Sequence, residues 1–185
     1  IVRLVGEGGS LMRGAIASCR PENTDFPAFL ERAASNPSVK GLRRVLHVVP
    51  DGTSTTAIFR DNVKSMAGTG LTFDLCVFPR QHGLALELVD HCPDVQFVLD
   101  HCGVPDIAAQ SFDPWRAGIK ALAERPNVVA KISGVIAYGD PETWTLGDIR
   151  PYVDETAQAF GADRIIWGSD SPVCNLGGGL AIWVA

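Results

Sequence analysis

The sequence predicts an α/β protein, an incomplete TIM-like (β/α) barrel with about six parallel strands. Three observations predict it. Short apolar runs alternate with longer stretches of helical period, the alternation of a parallel sheet joined by right-handed helical crossovers. Most of the runs are apolar at successive positions, as in Phe97-Val98-Leu99, which is how a strand covered on both faces reads. Polar and ionisable residues gather at the C-terminal ends of several different runs. In a barrel those ends share one mouth, whereas an open doubly wound sheet spreads them along an edge and unites them only near a switch point. Six units are too few to close an eight-stranded barrel, which usually takes ~200 residues or more. Residues 1–185 are therefore expected to form a single partial barrel domain, with 1–11 an irregular or non-native start.

Gly6-Glu7-Gly8-Gly9 is expected to be a surface turn, because Leu11 stands where a dinucleotide loop needs its third glycine. Strands are expected over 13–19, 39–49, 72–78, 95–100, 128–133 and 164–168. Between the first two, Asp25 is placed to cap a helix with Pro27 in its first turn and Phe29, Leu30 and Ala33 on its inner face. Phe59, Val63 and Met66 share a helical face. So do Trp115, Ile119 and Leu122, and, at looser spacing, Ile149, Val153 and Phe160. A shorter helix is expected over 84–91, leaving His82 and His91 exposed. Asn36-Pro37, Cys92-Pro93, Arg125-Pro126-Asn127 and Phe160-Gly161 mark helix ends. Gly177-Gly178-Gly179 reads as a loop.

Composition excludes several classes. A hydrophobic fraction of 46% against 20% charged residues supports a folded core rather than disorder. A net charge of -5 argues against nucleic-acid binding through phosphates. No apolar run approaches the ~20 residues needed to span a bilayer, and the first residues are too short for a signal-peptide core, so a cytoplasmic location is expected. The five cysteines, Cys19, Cys76, Cys92, Cys102 and Cys174, have no CxxC spacing. They are expected to be reduced, mostly buried thiols, not a cysteine-built structural zinc site.

The candidate chemistry lies at the strand ends. Asp170, between Gly168-Ser169 and Ser171-Pro172, offers a carboxylate to take a proton from water or to ligate a metal. His101 offers an imidazole to ligate a metal or polarise a carbonyl. His47 is balanced between site and structure. Arg43 and Arg80 carry the planar fork of donors that holds a carboxylate or hydroxyl, whereas Arg44 reads equally well as a surface ion pair. Lys131 projects from the apolar strand Val128-Val129-Ala130; a buried amine needs a partner, so it is expected to face the site.

At Asp100-His101-Cys102-Gly103, Lys131-Ile132-Ser133-Gly134 and Gly168-Ser169-Asp170 the chain resembles the amidohydrolase superfamily, most closely its lactonase-like branch of sugar-lactone hydrolases. The segment 40–47 and Phe73-Asp74-Leu75 are similar to the same branch, and the resemblance runs from Met12 onward. It implies a distorted eight-stranded barrel of which these are the third to eighth strands. Asp170 would be the eighth-strand aspartate that activates the hydrolytic water, and His101 the sixth-strand histidine that binds metal or polarises the lactone carbonyl. Arg43 would lie near the substrate. Two departures stand out. The His-x-His pair of the family's first strand is missing, so the first two strands and the tail after the eighth are expected to be absent. Ser171 stands where members commonly carry an aromatic residue.

The implied activity is hydrolysis of a small cyclic ester. A metal-dependent decarboxylase of the same superfamily and a noncatalytic barrel fragment are the alternatives. The catalytic residues would be Asp170 and His101, with Arg43, His47, Arg80 and Lys131 on the substrate. The cofactor is either one divalent ion, zinc or similar, on His101 and Asp170, or none. The expected partner is a small lactone or carboxylate, with neither nucleic acid nor membrane involved. Unpaired barrel edges would favour homo-oligomers and leave this chain a poor catalyst by itself.

Overall fold

The computed structural model describes Val5 and residues 11–185, so the Gly6-Glu7-Gly8-Gly9 turn and most of the expected irregular start lie outside the described residues. Six strands form one parallel sheet in sequential order, curled into a half-barrel. They are β1 (Ala15–Ser18), β2 (Val39–Val45), β3 (Thr72–Cys76), β4 (Phe97–Leu99), β5 (Val128–Ser133) and β6 (Ile165–Gly168). The helices are α1 (Phe26–Ala34), α2 (Ala57–Lys64), α3 (His82–His91), α4 (Phe112–Ala123), α5 (Leu146–Phe160) and α6 (Leu180–Trp183). None is long and apolar enough to cross a membrane.

Strand periodicity sorts the side chains. Leu42, Phe73, Leu75, Phe97, Leu99, Val128 and Ala130 are buried in one core with Phe59 and Val63 of α2 and Trp115, Ile119 and Leu122 of α4. Alternate positions, among them Arg43, Asp74, Lys131 and Ser133, therefore face the concave side. The Arg43↔Asp74 register pair sets two of these polar residues side by side. The concave face thus carries the ionisable groups, and the convex face carries the hydrophobic energy of folding.

Several sequence expectations are corrected. The second strand stops at Val45, not at 49, because its ladder to β3 ends at the pair Val45↔Cys76. The chain then turns through a 3-10 segment, Leu46–Val48, that takes His47 out of the sheet. Asp25 does occupy the N-cap position of α1, and Pro27 lies in the first turn, but the carboxylate makes no capping bond. Its backbone (φ -87°, ψ 1°) is not the extended cap conformation that aims a side chain at the first free N–H groups. The third helix, α3, begins at His82 instead of 84, and His82 is buried at 3% exposure with Nε2 2.9 Å from the Gly103 carbonyl. His91, at the far end of α3, keeps 38% of its side chain exposed. All five cysteines are buried and unbridged. β1 and β6 end the strand order, and Ile16, Ile166 and Trp167 on them are exposed.

The packing of His82 generates a pair of opposite outcomes. A Cβ at Gly118 of α4 would meet His82 Nδ1 and lie 2.7 Å from its Cβ, whereas a Cβ at Gly83 meets nothing within 4 Å. Replacing an exposed helical glycine by alanine gains about 0.5–1 kcal/mol; overpacking a fixed ring costs about 1–3 kcal/mol. Gly83→Ala should therefore raise stability and Gly118→Ala lower it by about 1–2 kcal/mol, as read from the denaturation midpoint. Equal shifts would show that His82 is not fixed between α3 and α4.

Candidate active site

The floor of the concave face is a closed set of charges. Lys131 Nζ on β5 donates to Asp74 Oδ2 on β3 at 3.0 Å and to Asp100 Oδ1, just past β4, at 2.5 Å. Arg43 Nη1 on β2 donates to Asp100 Oδ2 at 3.3 Å. Asp74 and Asp100 are 1% and 0% exposed. Carboxylates so deeply buried persist as charges only when paired, and here two cations meet two anions. Burial, reinforced by Asp100, pushes the Asp74 carboxyl up to about 6 against the opposing pull of Lys131. Burial pulls Lys131 down, but Asp100 and Asp74 outweigh it and hold the ammonium above its ordinary value.

The next residue, His101, begins a strained turn. His101, Cys102 and Val104 have φ of 55°, 52° and 48°, a left-handed backbone that is rare outside glycine and rarest for a β-branched residue. Such strain persists only where the surroundings impose it. Here the Trp115 indole donates to the Cys102 carbonyl at 2.7 Å, and His82 meets the Gly103 carbonyl. His101 Nδ1 lies 2.8 Å from Ser133 Oγ on β5 and 3.6 Å from Asp170 Oδ2 beyond β6. Asp170 is itself left-handed, with φ 53°. Its carboxylate rests on Gly134, where any Cβ would collide with it. Asp170 Oδ2 is buried and has no hydrogen-bond partner among the described residues. Burial raises the Asp170 pKa, opposed by His101, and lowers that of His101, opposed by Asp100 and Asp170. The pair thus offers an imidazole that favours its neutral form and a carboxylate that readily takes a proton.

The rim adds a cavity of about 470 Å³ lined by Phe78, Pro79, Arg80, Val104, Pro105 and Tyr138, among others. Arg80 lies over the Phe78 ring at 4.9 Å with 57% of its side chain exposed. The Tyr138 ring stands edge-on to His101 at 6.5 Å. His47 stacks near Phe78 at 4.7 Å and places Nδ1 3.5 Å from Cys76 Sγ. Cys76, Asp100 and His101 bring potential ligand atoms within 4.8 Å of one another. Thus His101, Asp170, Lys131 and Arg43 converge, while Arg80 stands at the rim cavity and His47 beside Cys76. Arg44 is drawn away into a pair with Glu22.

Asp74, Asp100, Cys76, Ser133 and Tyr138 were not among the sequence-derived site residues. Asp74 carried a usable signal: it is a lone charge within an apolar strand, as Lys131 is. Tyr138 lies in a 3-10 turn after β5 with no periodic pattern to mark it.

The family model for amidohydrolases matches residues 8–185. The chain belongs to the amidohydrolase family. It is 36% identical over 171 residues to an uncharacterised protein of Sinorhizobium fredii, a match covering 87% of this chain and 57% of that protein. It is 33% identical over 158 residues to the L-fucono-1,5-lactonase of Burkholderia ambifaria, covering 85% and 54%. Its fold is similar to that of a zinc-bound amidohydrolase of Burkholderia multivorans, with a TM-score of 0.87, 26% identity, and coverage of 99% of this chain and 66% of the other. The chain spans a little over half the length of the curated relatives it matches. The solved amidohydrolases that it resembles are TIM barrels, and the six strands correspond to part of one.

Lys131→Met keeps the side-chain volume but takes the one ion-pair cation from Asp74 and leaves Asp100 with Arg43 alone. The loss should be about 3–5 kcal/mol at neutral pH. Without the cation, the folded-state pKa of Asp74, already raised to about 6, should rise further. A carboxyl whose folded pKa exceeds its unfolded one stabilises the fold at low pH and loses that contribution as pH rises through the folded value. The deficit should therefore be larger at pH 8 than at pH 5. Urea midpoints at the two pH values test this, and a pH-independent deficit would contradict it.

Proposed function

We propose that this site hydrolyses a small cyclic ester, a sugar lactone in the first instance. The observation that carries the reading is the buried, unpartnered Asp170 Oδ2 beside His101. An acceptor oxygen in that state needs a proton donor, and a water molecule between Asp170 and a bound carbonyl supplies one. Water adds to the lactone carbonyl carbon as its proton passes to Asp170. The tetrahedral intermediate collapses, the ring C–O bond breaks, and the departing ring oxygen takes the proton back from Asp170. The product is the open hydroxy acid. Burial, by raising the Asp170 pKa, suits the group to both halves of this transfer.

His101 polarises the carbonyl, and Ser133 at 2.8 Å holds its ring in place. Phe78 and Tyr138 offer apolar walls to the substrate ring, and Arg80 offers donors to its hydroxyl or carboxylate substituents. The name of the Burkholderia ambifaria relative, an L-fucono-1,5-lactonase, supports the ester class. A divalent ion fits the residues present. His101 and the unpartnered Asp170 oxygen would hold it, and the zinc-bound Burkholderia multivorans structure supports its inclusion. When bound, it supplies Lewis-acid polarisation of the carbonyl.

A panel of sugar 1,4- and 1,5-lactones, followed by proton release, tests the reading. Asp170→Asn should lower kcat by ~10²–10⁴ with the fold intact by circular dichroism. Activity should rise with pH as Asp170 ionises, with an acid limb above the usual carboxylate range because burial raises that group. Failure to open any lactone, or an Asp170→Asn variant as fast as the parent, would sink the assignment.

A further inference from the structure

Addition of water to a lactone carbonyl leaves a negative oxygen, and the mouth has few side chains free to donate to it. Lys131 and Arg43 are turned to Asp74 and Asp100 beneath. His101 has Nδ1 against Ser133 Oγ and Asp170, which leaves Nε2 to meet the carbonyl. The rim cavity has three walls with side-chain donors, Arg80, Ser111 and Tyr138. Of these, Tyr138 is the one whose ring stands edge-on to His101, at 6.5 Å. It ends the short turn Val135–Tyr138 that follows β5. Val135 and Ile136 are buried in the core, and the Ala108 N–H donates to the Tyr138 carbonyl at 3.0 Å. Core packing on one side and a loop on the other thus place the ring. Tyr138 is half-buried, yet its hydroxyl has no hydrogen-bond partner among the described residues, although a buried tyrosine usually finds one. Burial, then the charge of Asp170 ahead of those of Cys76 and Asp100, holds the phenol above its ordinary value. The hydroxyl therefore lies towards the mouth and keeps its proton.

We propose that Tyr138 is a catalytic residue, its hydroxyl donating to the lactone carbonyl oxygen beside His101 as the second member of a two-donor oxyanion site. The inference rests on the lactonase reading above and adds a residue to it. As water adds to the carbonyl carbon and Asp170 takes its proton, the electron pair of the C=O bond moves onto the oxygen. Tyr138 shares its proton with that oxygen in a hydrogen bond and does not transfer it. When the ring C–O bond breaks, the pair returns to re-form C=O, Asp170 passes its proton to the ring oxygen, and the phenol is left as it began. A neutral phenol suits this task. Its bond to an uncharged carbonyl is modest, and its bond to a charged oxygen is about twice as strong. The gain falls on the intermediate and not on the bound substrate, which is the condition for raising kcat.

The test is Tyr138→Phe in the full chain. It keeps the ring and removes a hydroxyl that bonds to no described residue, so the fold should be unchanged by circular dichroism. On the lactones that the parent opens, kcat should fall by ~10²–10³, the cost of one oxyanion-hole donor, with KM nearly unchanged. Two ligands that are not turned over separate charge stabilisation from packing. One is a hydroxylated six-membered cyclic phosphonate, whose anionic tetrahedral phosphorus copies the intermediate. The other is the matching 1,5-lactam, whose planar carbonyl copies the substrate. The variant should weaken the phosphonate as much as it lowers kcat and the lactam by less than ~10-fold. A parent that opens lactones with a variant equally fast, or altered in KM alone, overturns the role of Tyr138 and leaves the lactonase reading standing. So does equal weakening of phosphonate and lactam. A parent that opens no lactone but binds the phosphonate, more weakly with Phe at 138, refutes the lactonase reading and keeps the oxyanion donor. A parent that neither opens lactones nor binds the phosphonate overturns both.

Discussion

Lys131 astride Asp74 and Asp100 is the interaction on which the mouth of this half-barrel depends. It ties β3, the end of β4 and β5 together across the concave face. Hydrophobic packing does little of this work, because the core side chains of these strands, Phe73, Leu75, Phe97, Leu99, Val128 and Ala130, lie on the helix-facing side of the sheet. Nor does solvent screening weaken it much, since both carboxylates are excluded from water. Asp100, with both oxygens engaged, becomes a fixed point. His101 follows it directly in the chain, so the imidazole inherits its position from a charge pair it does not itself join.

That inheritance explains the strained backbone. After a fixed Asp100, the chain must reverse sharply to bring His101 towards β5 and β6, and the left-handed residues His101, Cys102 and Val104 achieve the reversal. Helices on the opposite side of the sheet hold the turn closed. Trp115 of α4 binds the Cys102 carbonyl and His82 of α3 sits against the Gly103 carbonyl. A histidine remote from the chemistry thereby positions one at its centre. For Asp170, beyond β6, the corresponding device is Gly134, just past β5, whose missing side chain makes room for the carboxylate.

The order and number of strands were legible because each is a compact apolar run, a signal that survives without knowledge of neighbours. Strand ends were not: β2 stops where its pairing to β3 stops, a property of the pair. The buried state of His82 was hidden for the same reason, since Gly103 and Gly118 make its pocket from two other elements. Asp170 and His101 stood out as ionisable groups following apolar runs. Asp74 and Cys76 did not, because Phe73-Asp74-Leu75-Cys76 was read as a run, although its alternation divides core-facing Phe73 and Leu75 from concave-facing Asp74 and Cys76.

The charge count of the concave face leads to the last step. Arg43 and Lys131 cancel Asp74 and Asp100, so the floor is locally neutral. Asp170 is left over. Its oxygen is buried, its nearest ionisable partner is a histidine that burial biases towards neutrality, and no described donor reaches it. A carboxylate so placed is satisfied by a proton, a polarised water or a cation. The proposed hydrolysis, and the divalent ion that His101 and Asp170 would hold, are both answers to that one surplus charge. Hydrolysis uses the appetite for a proton transiently, at the moment water attacks. A divalent ion held by His101 and Asp170 would satisfy the same charge at equilibrium, and the neutral floor beneath allows it, because no uncancelled ammonium or guanidinium of that floor opposes the ion.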